Sequence, residues 1–126
     1  MDALPPCAPT DPVRTALLDR MLEEAACLGE EARDHIGRRS AGIAPEATLR
    51  IRHEIGVIAT CLGYSVAWLL EQKAVLAGEI AGASPTPLAV HANATPPDAA
   101  EVGLPLADLG RRTRAFGRRI HRLAAH

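Results

Sequence analysis

The stretch Ile55 to Leu70, IGVIATCLGYSVAWLL, contains no charged residue and holds the only Trp and the only Tyr of the chain. Charged or polar residues bound it on both sides: Arg52, His53 and Glu54 before, Glu71, Gln72 and Lys73 after. A segment this apolar must be covered on more than one side, so the remaining elements are expected to pack against it. A membrane-spanning helix needs about 20 predominantly apolar residues. This run has 16, and Thr60, Gly63, Tyr64 and Ser65 interrupt it. The expectation is a buried core helix of a cytoplasmic protein, not a membrane span.

Periodicity extends that helix over 45–81. Pro45 suits its first turn, followed by Glu46. One apolar stripe is Ile51, Ile55, Ile58, Leu62, Val66, Leu69, Leu76 and Ile80; a second is Val57, Cys61, Tyr64, Trp68 and Val75. Two apolar faces need partners on two sides. Ala59, Gly63 and Ala67 are spaced four apart, which lets two helix backbones approach closely. Ala59, Gly63, Tyr64, Ala67 and Trp68 are therefore the candidate contacts, either with a second copy of the chain or inside one subunit.

An earlier helix is expected over 12–39. Asp11 and Pro12 make a start signal, and Leu18, Met21, Ala25, Leu28, Ala32 and Ile36 recur at steps of three or four. Asp19, Glu23, Glu24, Glu30, Glu31 and Asp34 make it acidic. A short connection around Gly42 implies an antiparallel neighbour. Residues 1–10 read as a flexible arm.

The segment 82–103, rich in Pro, Ala, Gly and Thr, has no usable periodicity and reads as a linker, either a tolerated loop or a recognition segment. A last helix is expected over 105–124, with a seam of Leu106, Leu109, Thr113, Phe116, Ile120 and Leu123. Gly110 and Gly117 weaken it by about 1 kcal/mol each relative to Ala, so it needs docking. The fold class is thus all-α: a single-domain three-helix bundle with a long central helix, expected to pair as a homodimer.

Six arginines against the single Asp108 leave residues 105–126 at +5, although the whole chain is at −1. Arg111, Arg112, Arg118 and Arg119 are the candidate partner-docking residues. They read either as a face for nucleic acid or an acidic partner, or as partners for the acidic first helix. Only 2% of residues are aromatic, which disfavours a stacking platform for single strands. No helix-turn-helix spacing is present.

Catalytic signals are absent from the sequence. None of His35, His53, His91, His121 and His126 forms an HxxxH or HExxH pair, and Cys7, Cys27 and Cys61 have no zinc spacing. Cys27 and Cys61 lie among apolar residues and are expected to be buried, inert thiols. No phosphate-binding glycine loop occurs. The expectation is no enzyme activity, no cofactor and no metal.

AWLLEQKAVLAGEI (Ala67 to Ile80) resembles the WLL-x-Q-[KR]-A-x-x-x-GE pattern of the RcdA family, the regulators of CtrA degradation of alphaproteobacteria. LEEAACLGEEARDHI (Leu22 to Ile36) and LPLADLGRRTRAFGRRIHRL (Leu104 to Leu123) are similar to the family's acidic first helix and arginine-bearing end. VIATCLGYSVA, just before Trp68, is more apolar than the family's equivalent run. The resemblance implies a homodimeric three-helix adaptor. Such an adaptor binds the ClpX unfoldase of the ClpXP protease, is primed by the response regulator CpdR, works with the adaptor PopA and tethers substrates during the cell cycle. The alternative is a small dimeric nucleic-acid-binding regulator that uses the arginine-rich helix.

Overall fold

A computed structural model describes residues 12–37, 45–81 and 92–124. They form helix α1 (Pro12–Gly37), the long helix α2 (Pro45–Leu76), one turn of helix α3 (Ala99–Val102) and helix α4 (Leu104–Ala124). No strand occurs among the described residues, and the fold is all-α. The expected arm at 1–10, the connection at 40–44 and the first part of the linker lie outside them.

The helix directions follow from the ion pairs. Lys73 Nζ lies 2.5 Å from Asp19, and Arg14 lies beside Gln72 at 3.4 Å, so the start of α1 meets the end of α2 and the two run antiparallel. Arg112 pairs with Glu31 and Arg119 with Glu24, so α4 is antiparallel to α1. Helix α4 therefore runs in the same sense as α2. Parallel neighbours require a long crossover connection. Helix α2, at about 1.5 Å rise per residue, is close to 48 Å long. The chain must travel back along it before α4 begins. The length of the 82–103 linker is thus a consequence of topology.

The core is one cluster. Leu18, Met21, Ala25 and Leu28 of α1 face Ile58, Cys61, Leu62, Trp68 and Leu69 of α2, and Leu106, Leu109, Phe116 and Ile120 of α4. The seam read for the last helix is buried from Leu106 to Ile120, with Leu123 half-buried. Both α2 stripes contribute to this core, because α1 and α4 cover adjacent sides of the helix.

Helix α2 stops at Leu76, short of the expected 81. Gly78 adopts φ 75°, the left-handed region that favours glycine. Its N–H donates to Val75 O (3.0 Å), and Glu79 N–H donates to Ala74 O (2.8 Å), which closes a Schellman cap. Ile80, assigned to the core stripe by periodicity, consequently lies past the cap and is exposed. Cys27 also departs from expectation: it is exposed, on the side of α1 turned from the core, whereas Cys61 is fully buried.

The linker is not structureless throughout. Ala92 is fully buried. Asp98 caps α3 with its N–H donated to Glu101 Oε1 at 3.1 Å, and Val102 enters the core. Gly103 (φ 90°) then turns the chain into α4.

Candidate functional site

Three features bear on function: a buried ion pair between α2 and α4, the arginine face of α4, and the outward face of α2.

Glu54 and Arg114 are 1% and 3% exposed, which makes them the only buried charges among the described residues. Arg114 Nη1 and Nη2 donate to the two carboxylate oxygens of Glu54 at 2.5 and 2.7 Å. This is the bidentate geometry in which a guanidinium binds a carboxylate most strongly. Arg114 Nε donates to Ala94 O at 2.9 Å, and Arg118 donates to Ala92 O at 3.1 Å. Arg114 and Arg118 thus fasten residues 92 and 94 of the linker onto the bundle. Gly110 explains how the charges reach each other. A Cβ built there would overlap Glu54 Oε2 and lie 2.8 Å from Arg114 Nη1. The carboxylate could move aside only by giving up Arg114.

Sequence reading missed this pair. Glu54 sits at the edge of the apolar run and Arg114 among other arginines, so both resemble surface residues. The available signal was Gly110, a glycine in a helix interior one turn before Arg114.

The arginine face is largely satisfied within the chain. Arg112 donates to both Glu31 oxygens (2.8 and 2.6 Å) and to Asp108. Arg119 donates to both Glu24 oxygens. Arg111 bonds Asp108, and Arg118 holds Ala92 O. Each of the four candidate docking residues therefore has a partner in its own chain. The hydrogen bonds from Arg112 hold the Glu31 and Asp108 carboxyls below their usual range. Arg111, Arg118 and Arg122 remain exposed along one side of α4.

The predicted contact set of α2 divides. Trp68 is 5% exposed and packs in the core. Ala59, Gly63, Tyr64 and Ala67 face outward. A Cβ at Gly63 would meet no described residue within 4 Å, so Gly63 does not serve a close contact among the described helices. With Leu49 and Leu70, which are 67% and 53% exposed, the outward residues form an apolar outer surface. Helix α2 is long and apolar enough to cross a membrane, and only 39% of its most apolar 18-residue stretch is buried in the bundle. Beside Leu49, an open pocket of about 390 Å³ is lined by Arg50, His53, Thr95, Pro96, Pro97 and Glu101.

Cys61 is enclosed between α2 and α4, with its thiol directed at Thr113 O (3.7 Å). Burial pushes this thiol up, against the opposing action of the neighbouring Ser65, whose hydroxyl donates to Cys61 O (2.8 Å). No group of three or more His, Cys, Asp or Glu side chains with metal-binding geometry occurs among the described residues.

No family model, curated protein or solved structure matches the chain.

Proposed function

We propose that the chain is a non-enzymatic adaptor in regulated proteolysis, which tethers substrates or other adaptors to a ClpXP-type protease. The observation that carries this reading is the outward face of α2: an apolar surface, charge-free from Gly56 to Leu70, which the other described residues leave uncovered. Exposed apolar surface of this kind marks a protein or membrane contact. The RcdA resemblance supplies the class of contact, and its pattern from Trp68 to Glu79 lies on α2 and its cap. Tethering requires no chemistry in the chain; it raises the local concentration of one partner near another. In this reading the adaptor works as a cytoplasmic homodimer with ClpX, a CpdR-type primer and a PopA-type adaptor.

The test is a pull-down with ClpX, with and without the CpdR-type primer. Recovery of ClpX with primer present is the expected result. Recovery of neither protease, primer nor substrate under both conditions would refute the adaptor reading.

A nucleic-acid-binding regulator is the second reading, favoured by the exposed line of Arg111, Arg118 and Arg122. It predicts duplex binding that weakens steeply with salt and disappears when Arg111, Arg112, Arg118 and Arg119 become Ala. The internal pairing of Arg112 and Arg119 with α1 weighs against it.

A further inference from the structure

We propose that the end of α4 docks an acidic segment of a protein partner through Arg118 and Arg122, two guanidiniums that no carboxylate among the described residues neutralises. The inference deepens the proposed function by naming the chemistry of one tethered partner. Only that role, and not the binding itself, rests on the adaptor reading.

Charge is unevenly balanced along α4. Arg111, Arg112, Arg114 and Arg119 are matched one for one by Asp108, Glu31, Glu54 and Glu24. Arg118 and Arg122 have no such match. Arg118 donates one N–H to the neutral carbonyl of Ala92 at 3.1 Å, which fixes the side chain without cancelling its charge. Arg122 is exposed and bonds no described residue.

The two arginines stand one helical turn apart, so they rise from the same stripe with Cβ atoms about 6 Å from each other. Like charges at this spacing repel and weaken a helix. The negative pole at the helix C-terminus offsets part of that cost for Arg122, in the last turn, and less for Arg118, a turn earlier. An anion held between them offsets the rest. His121, exposed between the two, adds an N–H donor.

Each guanidinium presents parallel N–H groups that match a carboxylate. Two of them on successive turns fit two carboxylates about 6 Å apart, the spacing of Glu or Asp four residues apart on a partner helix. Duplex nucleic acid fits less well. Its affinity comes from many phosphate contacts, and two unneutralised arginines supply few. A long polyanion would also meet the field of Glu23 and Glu30, exposed on the neighbouring α1, whereas a short acidic segment touches the patch alone.

The experiment titrates the full chain into three labelled probes and follows fluorescence anisotropy. The probes are a helical peptide bearing Glu pairs four residues apart, the same peptide with Gln in their place, and a duplex DNA of equal length. The Glu peptide should bind, and the Gln peptide at least tenfold more weakly. Arg122→Glu should weaken the Glu peptide at least tenfold at unchanged helical content, because Arg122 bonds no described residue. Arg118→Lys keeps the charge and loses the planar fork, and should weaken binding about threefold. Arg20→Glu makes the same change of net charge as Arg122→Glu on an exposed side of α1, and should change binding less than about twofold.

Equal losses from Arg122→Glu and Arg20→Glu would reduce the binding to net charge and overturn the site. A duplex bound more tightly than the Glu peptide, and lost in Arg122→Glu, would give the patch to nucleic acid and overturn the acidic assignment. Absence of Glu-peptide binding would overturn the proposal outright. Recovery of ClpX by the same preparation, with primer present, would then show that the adaptor reading survives it.

Discussion

Glycine has opposite meanings at two positions of this chain, and the difference is measurable. At Gly110 the absent Cβ is what lets Glu54 meet Arg114. At Gly63 the space is open. Gly63→Ala should therefore gain helix propensity and raise the stability of the isolated subunit by up to about 1 kcal/mol. Gly110→Ala gains the same propensity but separates a buried ion pair, which costs about 3–5 kcal/mol when one charge is left unpaired. Urea denaturation of the two variants should move in opposite directions. Glu54→Gln should behave like Gly110→Ala. In Glu54→Gln, hydrogen exchange at 92–95 should also accelerate, because Arg114 and Arg118 hold residues 92 and 94 by their carbonyls. Loss of stability without faster exchange there would mean that this part of the linker docks independently of the pair. Cys61 offers a second residue-scale test. Native protein should expose only Cys27, of the two cysteines in the described residues, to a thiol reagent; Cys61 should react at the rate of unfolding.

Among the elements, α1 and α4 are joined across their surface by Arg112–Glu31 and Arg119–Glu24. Their side chains are 42–45% exposed, so each pair is worth about 0.2–1 kcal/mol and weakens with salt. The pH dependence follows from the lowered Glu31 and Asp108 carboxyls. A carboxyl whose value is depressed by folding adds stability above its unfolded value, near 4 for these groups. That stability is lost as pH falls through the lower folded value. Thermal stability should therefore decline in acid below about pH 4, and Glu31→Gln should flatten the decline. An identical acid profile in the variant would mean that the pair contributes nothing to folding. The elements themselves were readable from the sequence, because apolar residues at steps of three and four report a helix face whatever covers it. The end of α2 was not, because Ala77 to Ile80 continue the apolar pattern while the backbone at Gly78 breaks it. The linker's docking was equally hidden, since it depends on main-chain carbonyls at 92 and 94.

For the whole molecule, the direction of α4 is what the sequence concealed. Helix order and lengths suit either an up-down bundle or one with a crossover, and only the ion pairs between distant helices choose the crossover. The site was legible in part. Ala59, Gly63, Tyr64 and Ala67 were identifiable as a small-residue side, but whether it faced a neighbour in the same chain depended on where α1 and α4 landed. They pack on the sides bearing Ile58, Cys61 and Leu69, and leave the small residues outside. The bundle thus buries two sides of its most apolar helix and presents the third. The proposed adaptor role turns on that third side acting as a docking surface. Its most direct test is degradation of CtrA by ClpXP with the CpdR-type primer, followed across substrate concentration. Tethering predicts that adding the chain lowers KM by about tenfold or more and leaves the maximal rate unchanged. An unaltered KM in the presence of the chain would contradict the account.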